Sequence, residues 1–515
     1  MPGIKVIDKL VIMNIIAKKG NIFEEKADLA IFGVFSGTQT FSGALAAFDK
    51  RLGGLITSVV ADEQFGGKLG DQLVLHTHGK LPASRILLVG LGDKKTFNAE
   101  AVRRAAGAAS RYVEKLEAEN AACYFPNAGL GFAETAQAAA EGALLADYKY
   151  LAFKPQEAKR LNKRKPATIA IMAEDAPALR LIEKGIALGE VYARATIYAR
   201  DLVNEPACRL APSHLRDHAA AIAANEKNVQ LKVLDATACE KLGMGAFLAV
   251  AKGSEEAPYF LHLVYKPHKT DKPHKKIVLV GKAVTFDSGG LSLKPSEHME
   301  TMKCDMAGAA AVLGIFSVLG ELELEVEVHG LIAACENMPS GKAMRPGDIV
   351  TAMNGKSIEI LNTDAEGRLT LADVLSYADK KIKPDQTVDL ATLTGACMVA
   401  LGTDIAAVMT VNEKLYERLR SAAESAGEPL WRLPLPSDYA PLVAGDHADL
   451  RNTSRARYGG AITAGLFLKE FAGEAPWAHL DIAGPAFAER DVLPYMMKGG
   501  TGYGVRTMLN WLKGI

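Results

Sequence analysis

The stretch KKIVLVGKAVTFDSGG (Lys275 to Gly290) runs from an apolar segment straight into a glycine-rich turn. After its two lysines, Lys275 to Ala283 is almost continuously apolar, as a strand buried on both faces of a parallel sheet must be. Downstream, DMAGAAAVLGIFSVLG (Asp305 to Gly320) reads as a small-residue helix with an acid at its start. ELELEVEVHGLIAACEN (Glu321 to Asn337) alternates charged and apolar residues before turning wholly apolar, which predicts a strand with one wet face that then runs into the core. TVDLATL (Thr387 to Leu393) and DIAAVMTV (Asp404 to Val411) are further buried-strand candidates. Upstream, SRILLVGLG (Ser84 to Gly92) and ATIAIMA (Ala167 to Ala173) read as strands, and Asn98 to Glu119, rich in Ala, Glu, Arg and Lys, as a helix. Strand and helix alternate throughout, so the fold class is α/β.

The 515 residues exceed what one hydrophobic core usually serves. Two domains are expected, a smaller N-terminal α/β domain over 1–184 and a larger C-terminal α/β domain over 185–515. The boundary falls within a helical stretch, Leu179 to Ala207, that the prolines of NEPACRLAPS break. AKRLNKRKP (Ala158 to Pro166) lacks interleaved aromatics and is expected to be a solvated loop rather than a nucleic-acid patch. GLGDKK (Gly90 to Lys95) lacks GxGxxG and reads as a plain turn after a strand.

Sixty basic and sixty acidic residues cancel, so no global field favours nucleic acid or an anionic membrane. Six cysteines are scattered without a CxxC pair, which fits reduced thiols in a reducing compartment. Lys5, Asp8 and Lys9 interrupt the apolar N-terminus, so a secretory signal is not expected. The longest uncharged apolar run, Met306 to Gly320, is too short for a membrane-spanning helix. The chain reads as cytoplasmic, with no membrane partner.

Two segments concentrate the chemistry. VGKAVTFDSGGLSLKPSEHMETMKCDMAGAA contains Lys282, Asp287, Lys294 and Asp305, and NTDAEGRLTLAD contains Asp364, Glu366 and Arg368. Both follow apolar strands (Ile277 to Val280 and Ile358 to Leu361), where open α/β sheets place their ligand crevices. Four carboxylates sharing one crevice repel each other unless some are protonated or cations neutralise them. Two divalent ions would balance the four. Oxygen ligands without a nearby histidine or cysteine suit Mg or Mn, and Zn also accepts carboxylates. Asp364-x-Glu366 would put both side chains on one side of an extended segment. Taken singly, Asp305 is explained as a helix-terminal acid, Asp364 and Glu366 as turn acids and Lys282 as a surface charge. Together, within under a hundred residues and bracketed by glycines, they favour a site. His329 and His479 read as packed or hydrogen-bonded histidines, and Cys304 and Cys397 lack a base partner for a nucleophilic role.

VGKAVTFDSGGLSLK and NTDAEGRL closely resemble the leucyl aminopeptidase family of cytosolic metallopeptidases, peptidase family M17. The resemblance continues through CDMAGAA, ENMPSG (Glu336 to Gly341), RPGDIV (Arg345 to Val350), ATLTGA (Ala391 to Ala396) and HLDIAGPA (His479 to Ala486), covering about residues 195–515. It implies a catalytic C-terminal domain with a central mixed sheet, and an N-terminal domain that regulates access or assembly. It further implies a tighter metal site on Lys282, Asp287, Asp305 and Glu366, and a more exchangeable one on Asp287, Asp364 and Glu366. The ions would be Zn or Mn, with Mg or Co as alternatives. Lys294 would stabilise the oxyanion, and Arg368 would hold a bicarbonate that relays the proton. Met302, Thr392, Gly395, Ala483 and Ala486 would line an apolar specificity pocket. Some relatives carry methionine where this chain has Ala486, so the pocket here is expected to be roomier. Peptides are the implied substrates and a homohexamer the implied assembly, with Arg451 to Phe471 contributing a basic loop and an amphipathic helix near its centre. Two alternatives stand beside this: an aminopeptidase that also binds DNA or regulates, using Lys159 to Lys165, and a two-metal phosphoesterase.

Overall fold

The computed structural model describes residues 13–38, 40–126, 128–267 and 274–515. Lys5, Asp8 and Lys9, with the expectation drawn from them, lie outside that range. The chain divides into two compact units. The first ends at Arg194 and takes in Arg490–Met497, and the second comprises Ala195–Glu489 and Lys498–Ile515. The division falls inside one continuous helix, Ala176–Asn204.

In the first unit, β1 (Met13–Lys19), β2 (Leu29–Phe35), β3 (Gln72–His76), β4 (Arg85–Gly92), β5 (Asn120–Tyr124) and β6 (Ala167–Ala173) form one sheet, ordered β1-β6-β5-β2-β4-β3. All neighbours are parallel except β3 and β4. Leu29, Ile31, Leu87, Val89, Ile169 and Ile171 face one core, while Ala30, Phe32, Val34, Ile86, Leu88 and Met172 face another. The period of two, filled by apolar residues at both parities, is why these strands read as unbroken hydrophobic runs. The helix Ala99–Lys115 starts where Asn98 accepts from the N–H of Ala101 at 3.1 Å, an N-cap that fixes its first turn. The basic run is not simply a loop: its first residues close the helix Pro155–Leu161. Beyond that helix, Arg164 pairs with Glu117, and Lys165 lies 3.4 Å from Glu119.

In the second unit, β7 (Val229–Leu234), β8 (Tyr259–Tyr265), β9 (Lys276–Asp287), β10 (Glu327–Asn337), β13 (Gln386–Ala391), β14 (Ala406–Met409), β15 (Leu430–Arg432) and β17 (Trp477–Asp481) form a mixed sheet, ordered β15-β14-β17-β13-β9-β10-β8-β7. The four central strands, β17, β13, β9 and β10, are mutually parallel. A separate small sheet joins β11 (Ile349–Thr351), β12 (Ser357–Glu359) and β16 (Leu450–Arg451). Here the expectation for Ile358 to Leu361 is corrected, since that strand lies outside the main sheet. Glu321 to Val326 is corrected too: a short helix, Leu319–Leu322, ends at Glu323 with φ at +48°, and the strand begins only at Glu327. Leu324 and Val326 are still buried, so the alternation marked burial without a ladder. The helix Gly460–Lys469 buries residues around most of its circumference, Phe467 and Leu468 among them, rather than along one amphipathic stripe. No helix among the described residues is long and apolar enough to cross a membrane.

Candidate metal centre

The carboxyl ends of the four central parallel strands meet at one place. Asn337 closes β10, Asp287 closes β9, Thr392 follows β13 and Asp481 closes β17. Open sheets gather ligands at this edge. Lys282 and Asp287 are five residues apart on β9, so regular alternation would send them to opposite faces. Between the pairs Val284–Cys335 and Asp287–Asn337, β9 advances three residues and β10 two. This bulge turns Asp287 to the face that carries Lys282.

The turn after β9 needs glycine. Gly289 and Gly290 have φ of +85° and +63°, and a Cβ on Gly289 would lie 2.8 Å from Asp364 Oδ1. The turn is stitched to the acidic loop: the Ser292 N–H donates to Thr363 Oγ1 at 2.7 Å, and the Thr363 hydroxyl donates to the Gly289 carbonyl at 2.6 Å. Thus residues some seventy positions apart form one wall.

Within this wall six of the seven charged residues singled out by the sequence converge, and Arg368 follows Glu366 on the helix that the wall leads into. Lys282 Nζ lies 2.8 Å from Asp305 Oδ1 and 2.9 Å from Glu366 Oε1. Lys294 Nζ lies 2.9 Å from Asp287 Oδ2 and also contacts Asp364. Oxygens of Asp287, Asp364 and Glu366 all fall within 4.8 Å of one another. Asp305 stands just before the helix Ala307–Phe316, after a 3-10 turn that starts at Met302. Gly367 opens the helix Gly367–Tyr377 directly against Lys282, where a Cβ would come within 2.6 Å of Nζ.

Asp364 and Glu366 do not converge through an extended segment. Asp364 sits in a turn, and Glu366 has φ −79° and ψ −38°, already helical. They reach the same cluster because the chain curls between them.

The cluster is over-supplied with negative charge, four carboxylates facing two ammonium groups. Burial, and then Glu366, raises the pKa of Asp287; burial raises that of Asp305 further. Burial alone would lower Lys282, but Asp305, Glu366 and Asp287 hold it above its ordinary value; Asp287 and Glu366 do the same for Lys294. Asp305 Oδ2 is buried with no hydrogen-bond partner. An unpartnered buried carboxylate oxygen beside surplus acid is costly unless a cation sits there, and a set of oxygens with one amine fits a divalent ion. These residues fit the implied metals.

Arg368 is 6% exposed, its Nη1 donates to the Asn452 carbonyl at 2.8 Å, and its Nε has no partner. Burial pushes its pKa down to about 10. A buried guanidinium with a free N–H suits a small anion.

The Thr392 carbonyl accepts from Lys282 at 2.8 Å, and its hydroxyl donates to Asp305 at 2.7 Å. Thr392 therefore belongs to the cluster itself. Ala483 adjoins it through Asp481, whose carboxylate accepts from the N–H groups of Leu393 and Ala483 at 3.1 and 3.2 Å. Gly395 is exposed, and a Cβ there would meet nothing within 4 Å. Met302 is partly buried, and Ala486, 2% exposed, offers little surface.

Three supporting residues were not assigned a role from sequence. Asn337 Nδ2 donates to Asp287 Oδ1 at 2.8 Å and to the Thr363 carbonyl at 3.0 Å. Asp481 also accepts from the Thr394 hydroxyl at 2.7 Å, and Asn452 holds the acidic loop. Asn337 and Asp481 lay within family motifs and Asn452 within the stretch Arg451 to Phe471, but none of the three was given a role. His329 bonds His262 at 2.9 Å and lies 2.7 Å from Glu327, and His479 bonds Asp389 at 2.5 Å, so both are hydrogen-bonded histidines. Burial pushes the thiols of Cys304 and Cys397 up to about 12, which leaves them protonated and unreactive.

Comparison with known proteins gives one answer along the chain. Residues 197–509 match the family model described as the cytosol aminopeptidase family, catalytic domain, and residues 31–157 its N-terminal domain. A probable cytosol aminopeptidase of Alkaliphilus oremlandii is 43% identical over 97% of this chain and 99% of its own. One from Thermosynechococcus vestitus is 44% identical over 94% and 96%. A tomato leucine aminopeptidase mutant superposes with a TM-score of 0.86 at 38% identity, covering 98% of this chain and 97% of its own. A bottromycin maturation enzyme, solved in complex with Mn, gives 0.80 at 36% identity over 95% and 99%.

Proposed function

We propose that this chain, which belongs to the cytosol aminopeptidase family and is a metal-dependent aminopeptidase, removes apolar N-terminal residues from peptides with two divalent ions held by Lys282, Asp287, Asp305, Asp364 and Glu366. The observation that carries the proposal is the buried surplus of carboxylate around Lys282 and Lys294, with Asp305 Oδ2 unpartnered. Asp287 and Glu366 would be shared between the ions. Zn or Mn, with Mg or Co as alternatives, would polarise the scissile carbonyl, activate water and bind the substrate's free amine.

The chain's own groups do the rest. Lys282 would give up its proton on becoming a ligand, which two dications favour. Lys294, held protonated by the acids around it, would donate to the developing oxyanion. Arg368 would orient a bicarbonate, which would supply the proton relay between water and the leaving amine. The cleft beyond Thr392 and Gly395 would receive the first side chain, and the missing Cβ at Gly395 supports a pocket open to apolar groups. The family resemblance supports a homohexamer, and the relatives' printed name a cytosolic location. The domains proposed are 1–184, regulating access or assembly, and 185–515, carrying catalysis.

Leucyl-p-nitroanilide hydrolysis measured before chelation, after it, and after Mn or Zn is restored tests the reading. Loss and recovery are expected, and hydrolysis surviving complete metal removal overturns it. Elution with light scattering tests the hexamer.

A further inference from the structure

We infer that Asn452 is a positioning residue for the metal centre, holding Asp364, Glu366 and Arg368 in register without touching substrate or ion; this rests on the metal-centre reading above. The residue is completely buried. β16 pairs in parallel with β12, Leu450 beside Ile358 and Arg451 beside Glu359, and the Asn452 N–H donates to the Glu359 carbonyl at 2.9 Å. The ladder thus delivers Asn452 to the point where the acidic loop leaves β12.

From there its side chain spans the loop. Oδ1 accepts from the N–H of Leu361 at 2.8 Å and is 3.4 Å from that of Asn362. Nδ2 donates to the Asn362 carbonyl at 2.6 Å and the Ala365 carbonyl at 3.3 Å. Its backbone carbonyl takes Arg368 Nη1 at 2.8 Å. Two donors and one two-lone-pair acceptor are the whole hydrogen-bonding capacity of a carboxamide, and all of it is used on one loop. Reversing the amide would set donors against donors on one side and acceptors against acceptors on the other, so the partners fix its orientation.

The clamp matters because the other outside anchors, Ser292, Gly289 and Asn337, all meet the loop at Thr363, whereas Asn452 holds it on both sides of that residue. Between β12 and the helix Gly367–Tyr377, the backbone closes a turn with the Ala365 N–H on the Asn362 carbonyl at 3.2 Å, and Asp364 N–H reaches Asn362 Oδ1 at 2.8 Å. Asp364 lies between the two carbonyls that Asn452 holds, and Glu366 lies between Ala365 and Arg368. An aspartate at 452 would keep the acceptors, lose both donors and face two carbonyls with a charge. An alanine would lose all four side-chain contacts.

The test uses the full chain stripped of metal, with Mn as the probe, followed by calorimetric titration and by melting with and without Mn. Asn452→Ala and the near-isosteric Asn452→Asp are compared with Glu428→Gln. Glu428 receives the N–H groups of Gly504 and Thr507 and serves as a buried structural control. The two Asn452 variants are expected to bind Mn 10- to 100-fold more weakly at one site or more, the range for partners that orient metal ligands. Glu428→Gln should lower the metal-free melting temperature yet leave Mn affinity at the wild-type value. Wild-type Mn affinity in a folded Asn452→Asp protein overturns the inference while leaving the metal-centre reading intact. So does weakening that Glu428→Gln reproduces at an equal loss of melting temperature. Failure of the wild-type chain itself to bind Mn overturns both.

Discussion

Each of the two units buries a cluster of charged side chains, and the clusters differ in whether they close. In the first unit Arg103 Nε lies 2.8 Å from Glu141 and its Nη1 2.6 Å from Glu100, while Arg104 lies 2.7 Å from Glu100. Gln137 and Tyr495 donate to the same two carboxylates at 2.8 and 2.9 Å. Two cations meet two anions, and neither acid has a buried oxygen without a partner. In the second unit, four acids meet two lysines and an oxygen of Asp305 is left over. A buried ionic cluster that balances is part of the scaffold, whereas one with a remainder is shaped around something that arrives later.

Four measurements test that contrast. The largest effect is expected from metal removal, which should cut turnover by more than about 10³-fold, roughly 4 kcal/mol of transition-state stabilisation, and should leave the Arg103 cluster unaffected. Chelation that unfolds the first unit, seen by proteolysis, would contradict the separation. Next, Arg103→Met should destabilise the first unit by about 3–5 kcal/mol, because Glu141 is left charged and buried. Urea unfolding reads this loss, and Mn affinity should not move. Lys294→Met should lower kcat by about 10²–10³-fold, the usual cost of one oxyanion donor, with a smaller change in KM. A KM effect alone would assign Lys294 to binding. The smallest effect is on stability: Asp305→Asn in the metal-free chain should change unfolding free energy by about 1 kcal/mol or less, since it relieves surplus charge as it removes an ion pair. Its Mn affinity should nevertheless collapse. A loss as large as that of Arg103→Met would mean that the second cluster is scaffold after all.

Much of this was legible in the chain. Unbroken apolar runs marked β4, β6 and β9, because strands covered on both faces cannot alternate. The acids and lysines stood out because charge at the mouth of such a strand demands an explanation. The geometry that unites them was less visible. Asp364 and Glu366 join one cluster through a turn clamped from ninety residues away, and an asparagine within a loop announces no such task. A three-residue strand such as β12 is too short for periodicity to say which sheet it joins. The alternation from Glu321 to Val326 reported burial correctly and pairing incorrectly, since irregular chain after a left-handed residue presents Leu324 and Val326 inward without a ladder.

The irregular step in β9 makes chain length, rather than composition, the quantity on which this site turns. Deleting any one residue from Val284 to Phe286 would keep every lysine, acid and glycine, yet rotate Asp287 to the far side of the sheet and break the centre by parity alone. Within this family of sequences, a gap of one at that point is a sharper warning of lost chemistry than many substitutions nearby.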